Sequence, residues 1–297
     1  MRSSFKTIAI LAAIPIAGLA AFFLWQWWNG GELPKETYEE AVNVGRASAR
    51  PSRGGRAEAR PTSEATPLPK VTPKRKRASG SGDIVLIIDD LGFDGQPLDR
   101  LMALDPNINA SILPNGTRTA EFARRLNARG FEILCHLPME PRGGETPGRN
   151  AILTSMSDDE IARVTRENIQ AVPHAVGVNN HMGSRATSDR RVMTSVLRAL
   201  PEELYFIDSR TAAGSVAEDV ARELNVPTAA RHVFLDDVAT EGAVRKQLRE
   251  LAEAAEKRGV AIGIGHPYPV TMRVLAEELP ELRARGFRLV RASEVVR

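Results

Sequence analysis

From Asp83 to the last residue, short apolar-rich runs alternate with stretches whose apolar positions recur at helical spacing. The runs are Ile84–Ile88, Ile108–Leu113, Phe131–Cys135, Ala175–Val178, Leu204–Ile207, His232–Leu235, Val260–Ile264 and Phe287–Val290. Most are nearly continuous rather than strictly alternating, which suits strands covered on both faces, as in a parallel sheet. The stretches between them carry helix signals. Ser157-Asp158-Asp159-Glu160 and Ser215-Val216-Ala217-Glu218 read as capping boxes, and Val244, Leu248, Leu251 and Ala255 recur at helical spacing. Gly130, Gly259 and Gly286 stand where helices end before the next strand. About eight strand–helix units predict a (β/α) barrel of about seven to eight parallel strands; a doubly wound open sheet has the same periodicity and is the alternative.

Ahead of this region the pattern changes twice. Thr7 to Trp28 is a run of 22 residues without a charge, preceded by Arg2 and Lys6 and ending in Trp25, Trp27 and Trp28. At about 1.5 Å per residue it is long enough to cross a hydrocarbon core of about 30 Å, and basic residues before the span favour an inside amino terminus. Residues 1–29 are therefore expected to be a cytoplasmic tip and a single transmembrane anchor in the inner membrane, a cleaved signal peptide being the alternative; either exports the rest of the chain to the periplasm or beyond. Residues 30–82 hold six prolines and scattered Arg and Lys with almost no apolar periodicity, the pattern of a disordered linker. The domain carrying any chemistry is then 83–297.

Charge changes the picture of partners. The whole chain has a formal charge of +3, which invites a nucleic-acid partner. Residues 1–82 carry 13 Lys+Arg against 6 Asp+Glu, leaving 27 basic against 31 acidic residues, a balance of −4, for the domain. The basicity belongs to the leader and linker, and no nucleic-acid partner is expected. The single Cys135 lies inside a strand run and reads as a buried, inert thiol.

The ends of the predicted strands hold the candidate chemistry. The first ends in Asp89-Asp90, the third in His136, the fourth in Asn179-Asn180-His181, the fifth in Asp208, the sixth in Asp236-Asp237, and the last long one in His266. In barrels and open α/β sheets, reactive groups gather at the carboxyl ends of the strands. Buried carboxylates and imidazoles are costly without a partner, so their recurrence at strand ends predicts one shared polar pocket. Imidazole and carboxylate ligands from separate strands suit one divalent ion, zinc or a relative, that activates water against a carbonyl. No His-Glu-x-x-His, Walker or Gly-x-Ser-x-Gly motif competes with that reading.

Five segments in order, Ile87-Ile88-Asp89-Asp90-Leu91-Gly92, His136-Leu137-Pro138-Met139-Glu140-Pro141, Asn179-Asn180-His181-Met182-Gly183-Ser184, Phe206-Ile207-Asp208-Ser209-Arg210-Thr211 and Gly265-His266-Pro267, resemble the divergent polysaccharide deacetylases of bacterial envelopes. The resemblance covers 83–297. It implies a distorted (β/α) barrel and a metal-dependent hydrolase that removes N-acetyl or O-acetyl groups from an envelope polysaccharide such as peptidoglycan. It also implies that Asp89 acts as base and Asp90 binds metal. Ordinary deacetylases supply two metal histidines from one His-x-x-x-His stretch, whereas Glu140 stands four residues after His136, so His181 is the candidate third ligand beside Asp90 and His136. The Arg-x-Pro-Tyr loop of those enzymes is replaced by Asn179 to Arg185.

His266 is the candidate acid or substrate contact. Asp208 is a candidate to orient His266 or a ligand histidine, and Arg210 to stabilise an oxyanion or bind a sugar carboxylate; for both, a structural ion pair is the plain alternative. His174 and His232 read as structural. Three functions remain open: the hydrolase; a non-catalytic glycan-binding module of the same fold; and a phosphoesterase with two metals about 4 Å apart, for which Asp236-Asp237 offers extra carboxylates.

Overall fold

The computed structural model describes residues 81–297. The anchor expected over 1–29 and nearly all of the linker expected over 30–82 lie outside the described residues. Among those described, no helix is long and apolar enough to cross a membrane.

Among the described residues, nine strands form a single parallel sheet with helices between them. The strands are β1 (Asp83–Leu91), β2 (Asn109–Ile112), β3 (Glu132–Met139), β4 (Ala175–Met182), β5 (Tyr205–Asp208), β6 (Thr228–Ala230), β7 (Val233–Phe234), β8 (Val260–Gly265) and β9 (Arg288–Leu289). The helices are α1 (Leu98–Met102), α2 (Thr119–Ala128), α3 (Asp158–Ala171), α4 (Arg190–Arg198), α5 (Ala217–Glu223), α6 (Glu241–Arg258) and α7 (Pro269–Ala284). The strand order is β6-β5-β4-β3-β2-β1-β8-β7. Its two ends, β6 and β7, are separated in the chain only by Arg231 and His232. The sheet therefore curls back on itself, and its seam is spanned by the backbone: Arg231 N donates to Asp208 O on one side and His232 N to Ile262 O on the other. β9 pairs with the start of β1, at Asp83 and Ile84, which β2 leaves free by pairing only from Ile87 onward.

Strand alternation divides the core into two layers. Ile84, Leu86 and Ile88 of β1, Ile133 and Cys135 of β3 and Phe206 of β5 face the helices, among them Phe122 of α2, Val164 of α3 and Leu251 of α6. The opposite phase, Val85 and Ile87 of β1, Leu134 of β3, Tyr205 and Ile207 of β5 and Ile262 and Ile264 of β8, fills the inside of the curl. Gly177 of β4 leaves room for this filling, since a Cβ there would meet the Tyr205 ring at 2.4 Å.

The capping box at Ser157 forms with Glu160. The one expected at Ser215 does not: the cap position of α5 is Val216, and Ser215 Oγ accepts from Ala217 N at 3.3 Å while donating to Asp208 Oδ2 at 2.8 Å. Gly259 closes α6 in the left-handed region at φ 84°, as its position predicts. β6 was not anticipated, because its three residues, Thr228-Ala229-Ala230, carry no apolar run. Cys135 is fully buried, and burial pushes its thiol pKa up, so it is inert.

Candidate metal centre

The period-two phase that fills the inside of the curl continues past the apolar residues. Asp89 follows Val85 and Ile87, His136 follows Leu134, Ser209 follows Tyr205 and Ile207, His266 follows Ile262 and Ile264, and Gly177, Asn179 and His181 run up β4. A polar layer thus sits on the apolar one at the carboxyl end of the sheet. Asp90 belongs by phase to the other face. Its backbone has φ 59°, and the β1–β2 register breaks between Ile88 and Leu91. This irregular turn brings the Asp90 carboxylate to the same mouth, a backbone strain of the kind that gathers at working sites.

Asp90 Oδ1 lies 3.2 Å from His136 Nε2 and 2.9 Å from His181 Nδ1. The two imidazole nitrogens are 3.3 Å apart. All three ligand atoms fall within 4.8 Å of one another, the only such His/Cys/Asp/Glu cluster among the described residues. These distances are short, yet Asp90 Oδ1 is buried and makes no hydrogen bond of sound geometry. A buried carboxylate oxygen without a donor is costly. Lone pairs converging on one point are what a small cation satisfies, and the two-imidazole, one-carboxylate set fits a divalent ion such as zinc.

The tautomer of His136 supports the same fit. Asn179 Nδ2 donates to Asp89 Oδ1 at 2.9 Å and to Ser209 Oγ at 3.2 Å, which fixes the amide orientation. Asn179 Oδ1 then accepts from Ser111 Oγ at 2.6 Å and faces His136 Nδ1 at 3.1 Å, so the His136 proton sits on Nδ1. The Nε2 lone pair is left pointing at the cluster, as a metal ligand requires. One amide therefore aligns both Asp89 and His136.

Asp89 Oδ2 lies 3.5 Å from His136 Nε2 and is held by no other group among the described residues. Across the mouth, His266 Nε2 lies 3.6 Å from Asp90 Oδ2. Its Nδ1 donates to Asp236 Oδ1 at 2.9 Å, and Asp236 Oδ2 accepts from His266 N at 2.7 Å and Thr271 Oγ1 at 2.8 Å. Phe234 and Tyr268 flank the imidazole at 5.3 and 5.4 Å between ring centres. Burial alone would lower the His266 pKa, but the Asp236 hydrogen bond and the Asp90 and Asp89 carboxylates outweigh it and raise the pKa to about 9. Burial likewise opposes charge on His136, and Asp89 and Asp90 overcome it to raise its pKa. Burial would raise the Asp90 pKa, but contacts to His136 and His181 and the charge of His266 hold it well below the usual carboxylate range.

The structure thus brings together Asp89, Asp90, His136, His181 and His266. It separates two of the expected residues from them. Asp208 shares the helix-facing phase of β5 with Phe206; its Oδ1 accepts from Arg210 N at 2.8 Å and its Oδ2 from Ser215 Oγ, so it shapes the loop after β5. The carboxylate that orients His266 is Asp236. Arg210 pairs with Glu218 at 2.8 Å, the structural ion pair. Asp237 is exposed and Asp236 is committed to His266, so the second cluster that a two-metal phosphoesterase needs does not form among the described residues. Glu140 is no ligand either: its Oε2 accepts from Thr154 N and Oγ1, both at 2.6 Å, and pins the loop after β3. His232 is structural as expected, its Nδ1 accepting from Ile262 N across the seam. Asn179, Ser111 and Ser209 were missed as site residues, although stepping by two from the apolar positions of each strand reaches Asn179 and Ser209.

The family model described as divergent polysaccharide deacetylase matches residues 86–296. The uncharacterized protein YibQ of Escherichia coli (strain K12) is 36% identical over 217 residues, 73% of this chain and 68% of that protein. An uncharacterized protein of Haemophilus influenzae is 36% identical over 204 residues, covering 67% of this chain and 71% of its own length. Among solved structures, an uncharacterized protein of Agrobacterium tumefaciens C58 is similar with a TM-score of 0.70 at 22% identity, covering 75% of this chain and 92% of that one; at that identity the likeness is one of fold.

Proposed function

The chain belongs to the divergent polysaccharide deacetylases, and from that premise we propose that it is a metal-dependent hydrolase removing acetyl groups from an envelope polysaccharide such as peptidoglycan. The observation that carries the reading is the convergence of Asp90, His136 and His181 around a buried carboxylate oxygen that no donor satisfies. These three residues would hold one divalent ion, with zinc favoured by the donor set. When bound, such an ion polarises the acetyl carbonyl and lowers the pKa of water to about 7.

The remaining work falls to side chains of this chain. Asp89, with Oδ1 fixed by Asn179, takes the proton of the attacking water on Oδ2. As water adds to the acyl carbon and the bond to the sugar nitrogen or oxygen breaks, His266 gives the leaving atom its Nε2 proton. Asp236 holds the opposite side of that imidazole, and a pKa near 9 keeps the proton available at neutral pH. The products are acetate and the free amine or hydroxyl. The uncharged run from Thr7 to Trp28 supports a setting at the outer face of the cytoplasmic membrane, tethered through residues 30–82.

The test is metal analysis of the purified full chain together with acetate release from N-acetylglucosamine oligomers, beside an Asp89→Asn variant. One equivalent of metal and acetate release that depends on Asp89 is the expected result. Tight glycan binding with no acetate would sink the hydrolase and leave the binding module.

A further inference from the structure

A groove of about 570 Å³ is lined by Arg142, Thr154, Arg185, Ser188, Asp189 and Arg190. Its place in the fold ties it to the site. Arg142 and Thr154 come from the loop after β3, which carries His136, and Arg185 follows β4, which carries His181. Met139 and Met182 pair at the ends of those strands, and Arg185 N and Ala186 N both donate to Glu140 O, at 3.0 and 3.1 Å. From His136 to Glu140 the chain advances about 13 Å, at about 3.3 Å per residue, so the strands that carry His136 and His181 run on into the loops that line the groove.

The charges of the groove are unequally satisfied. Asp189 Oδ1 already accepts from Val192 N as the cap of α4. Glu140 gives one oxygen to Thr154 and keeps the other 3.4 Å from Arg185. Arg190 pairs with Glu223 at 2.6 Å. The Arg142 guanidinium is exposed and meets no acidic group among the described residues. The Thr154 and Ser188 hydroxyls already donate to Glu140 Oε2 and Ser184 O, so an open guanidinium and a second one only loosely paired supply the recess with its free donors, in a domain whose own balance is −4. Guanidinium groups favour planar, bidentate partners such as carboxylate and phosphate.

We infer that this groove binds an anionic substituent, a carboxylate or a phosphate, on the glycan whose acetyl group reaches the metal centre, so that acidic polysaccharide is selected over neutral. The inference rests on the proposed function for the identity of the polymer, and not for the preference itself. The experiment is calorimetric titration of the full chain with neutral, carboxylated and phosphorylated N-acetylglucosamine oligomers at low and high salt, with acetate release measured in parallel. Arg142→Ala, Arg142→Lys and Arg142→Ala/Arg185→Ala are compared with the parent chain. Arg142 lies on an exposed loop, and Arg142→Lys keeps the charge while losing the fork.

The expected result is about tenfold tighter binding of an anionic than of the neutral oligomer, the effect of one charge-assisted contact, lost in Arg142→Ala and partly kept in Arg142→Lys. Preference for the phosphorylated over the carboxylated oligomer would name the anion and leave the inference standing. Equal affinity for all three oligomers, or a preference untouched in the double variant, would overturn it. An anion preference without acetate from any oligomer would keep the groove and remove the hydrolase; acetate release without preference would do the reverse.

Discussion

The two ends of the curled sheet both bury polar groups, and they bury them differently. At the amino ends of the strands Glu132 accepts from Tyr205 Oη at 2.6 Å and Ser293 N at 3.0 Å, and also from Ser293 Oγ. Close by, Asn109 Nδ2 donates to Leu86 O at 2.8 Å and its Oδ1 accepts from Ala292 N at 3.0 Å. These groups tie the last turn of the chain, Ala292–Glu294, beneath the apolar filling. At the carboxyl ends, carboxylates and imidazoles crowd together with one buried oxygen lacking a donor. Burial of polar groups does not by itself separate the two ends; the incomplete partners and converging lone pairs of Asp90 do, while the satisfied network around Glu132 fastens the fold.

The largest effect that would sharpen this contrast is at the open end. Asp89→Asn removes the proton acceptor while keeping shape, and acetate release should fall by about 10²–10⁴-fold with bound metal retained. Metal analysis beside the rate is the decisive pair: unchanged turnover would make Asp89 a bystander. At the closed end the same kind of loss should move stability and not chemistry. Glu132→Ala strands Tyr205 Oη, Ser293 N and Ser293 Oγ and should cost on the order of 3 kcal/mol by denaturant titration, with acetate release per folded molecule unchanged. A fall in turnover that matches no loss of folded protein would break the division between the two ends.

How far the sequence made this division legible follows from strand phase. The five residues at the mouth, Asp89, Asp90, His136, His181 and His266, were reached because each follows or ends an apolar run, and ionisable types there are conspicuous. Asp208 met the same criterion and lies on the helix-facing side, since a strand end names a height in the sheet and not a face. Counting by two from Tyr205 and Ile207 selects Ser209 instead. Asp90 defeats that count in the other direction, because its left-handed backbone at φ 59° turns the side chain inward and no local signal announces the turn. β6 was invisible for a simpler reason: three small residues have no periodicity to read. The sequence offers Asp236 only as a strand-end carboxylate and an extra ligand, because its pairing with His266 joins residues 30 apart in sequence across β7 and β8.

Asn179 offers a smaller test of the open end. Its one amide orients both the base and a ligand imidazole, so Asn179→Ala should weaken metal binding by about 10–100-fold and also slow turnover at saturating metal. Ser111→Ala removes only one donor to that amide and should do much less. If Asn179→Ala bound metal as the parent does, the assignment of the His136 proton to Nδ1 would be wrong, and the lone pair would have to be aimed by something other than this amide.

The smallest effect is a pH dependence that should separate the ends without any change of sequence. His266 has its pKa raised to about 9 in the folded protein, against about 6.5 for an unfolded imidazole. A group raised in this way contributes stability fully below about pH 6.5 and loses it as pH climbs through 9. The metal-free chain should therefore weaken by on the order of 1–2 kcal/mol between pH 7 and 9, and Asp236→Asn should flatten that slope and bring the His266 titration, followed by NMR, back toward 6.5. Adding a divalent ion should oppose the trend, because the raised pKa of His136 makes the ion compete with a proton at its ligand nitrogen, so metal-linked stabilisation rises with pH. A slope unchanged by metal would mean that the cation does not displace a proton from His136. A slope abolished by Glu132→Ala would mean that the proton is bound at the closed end instead.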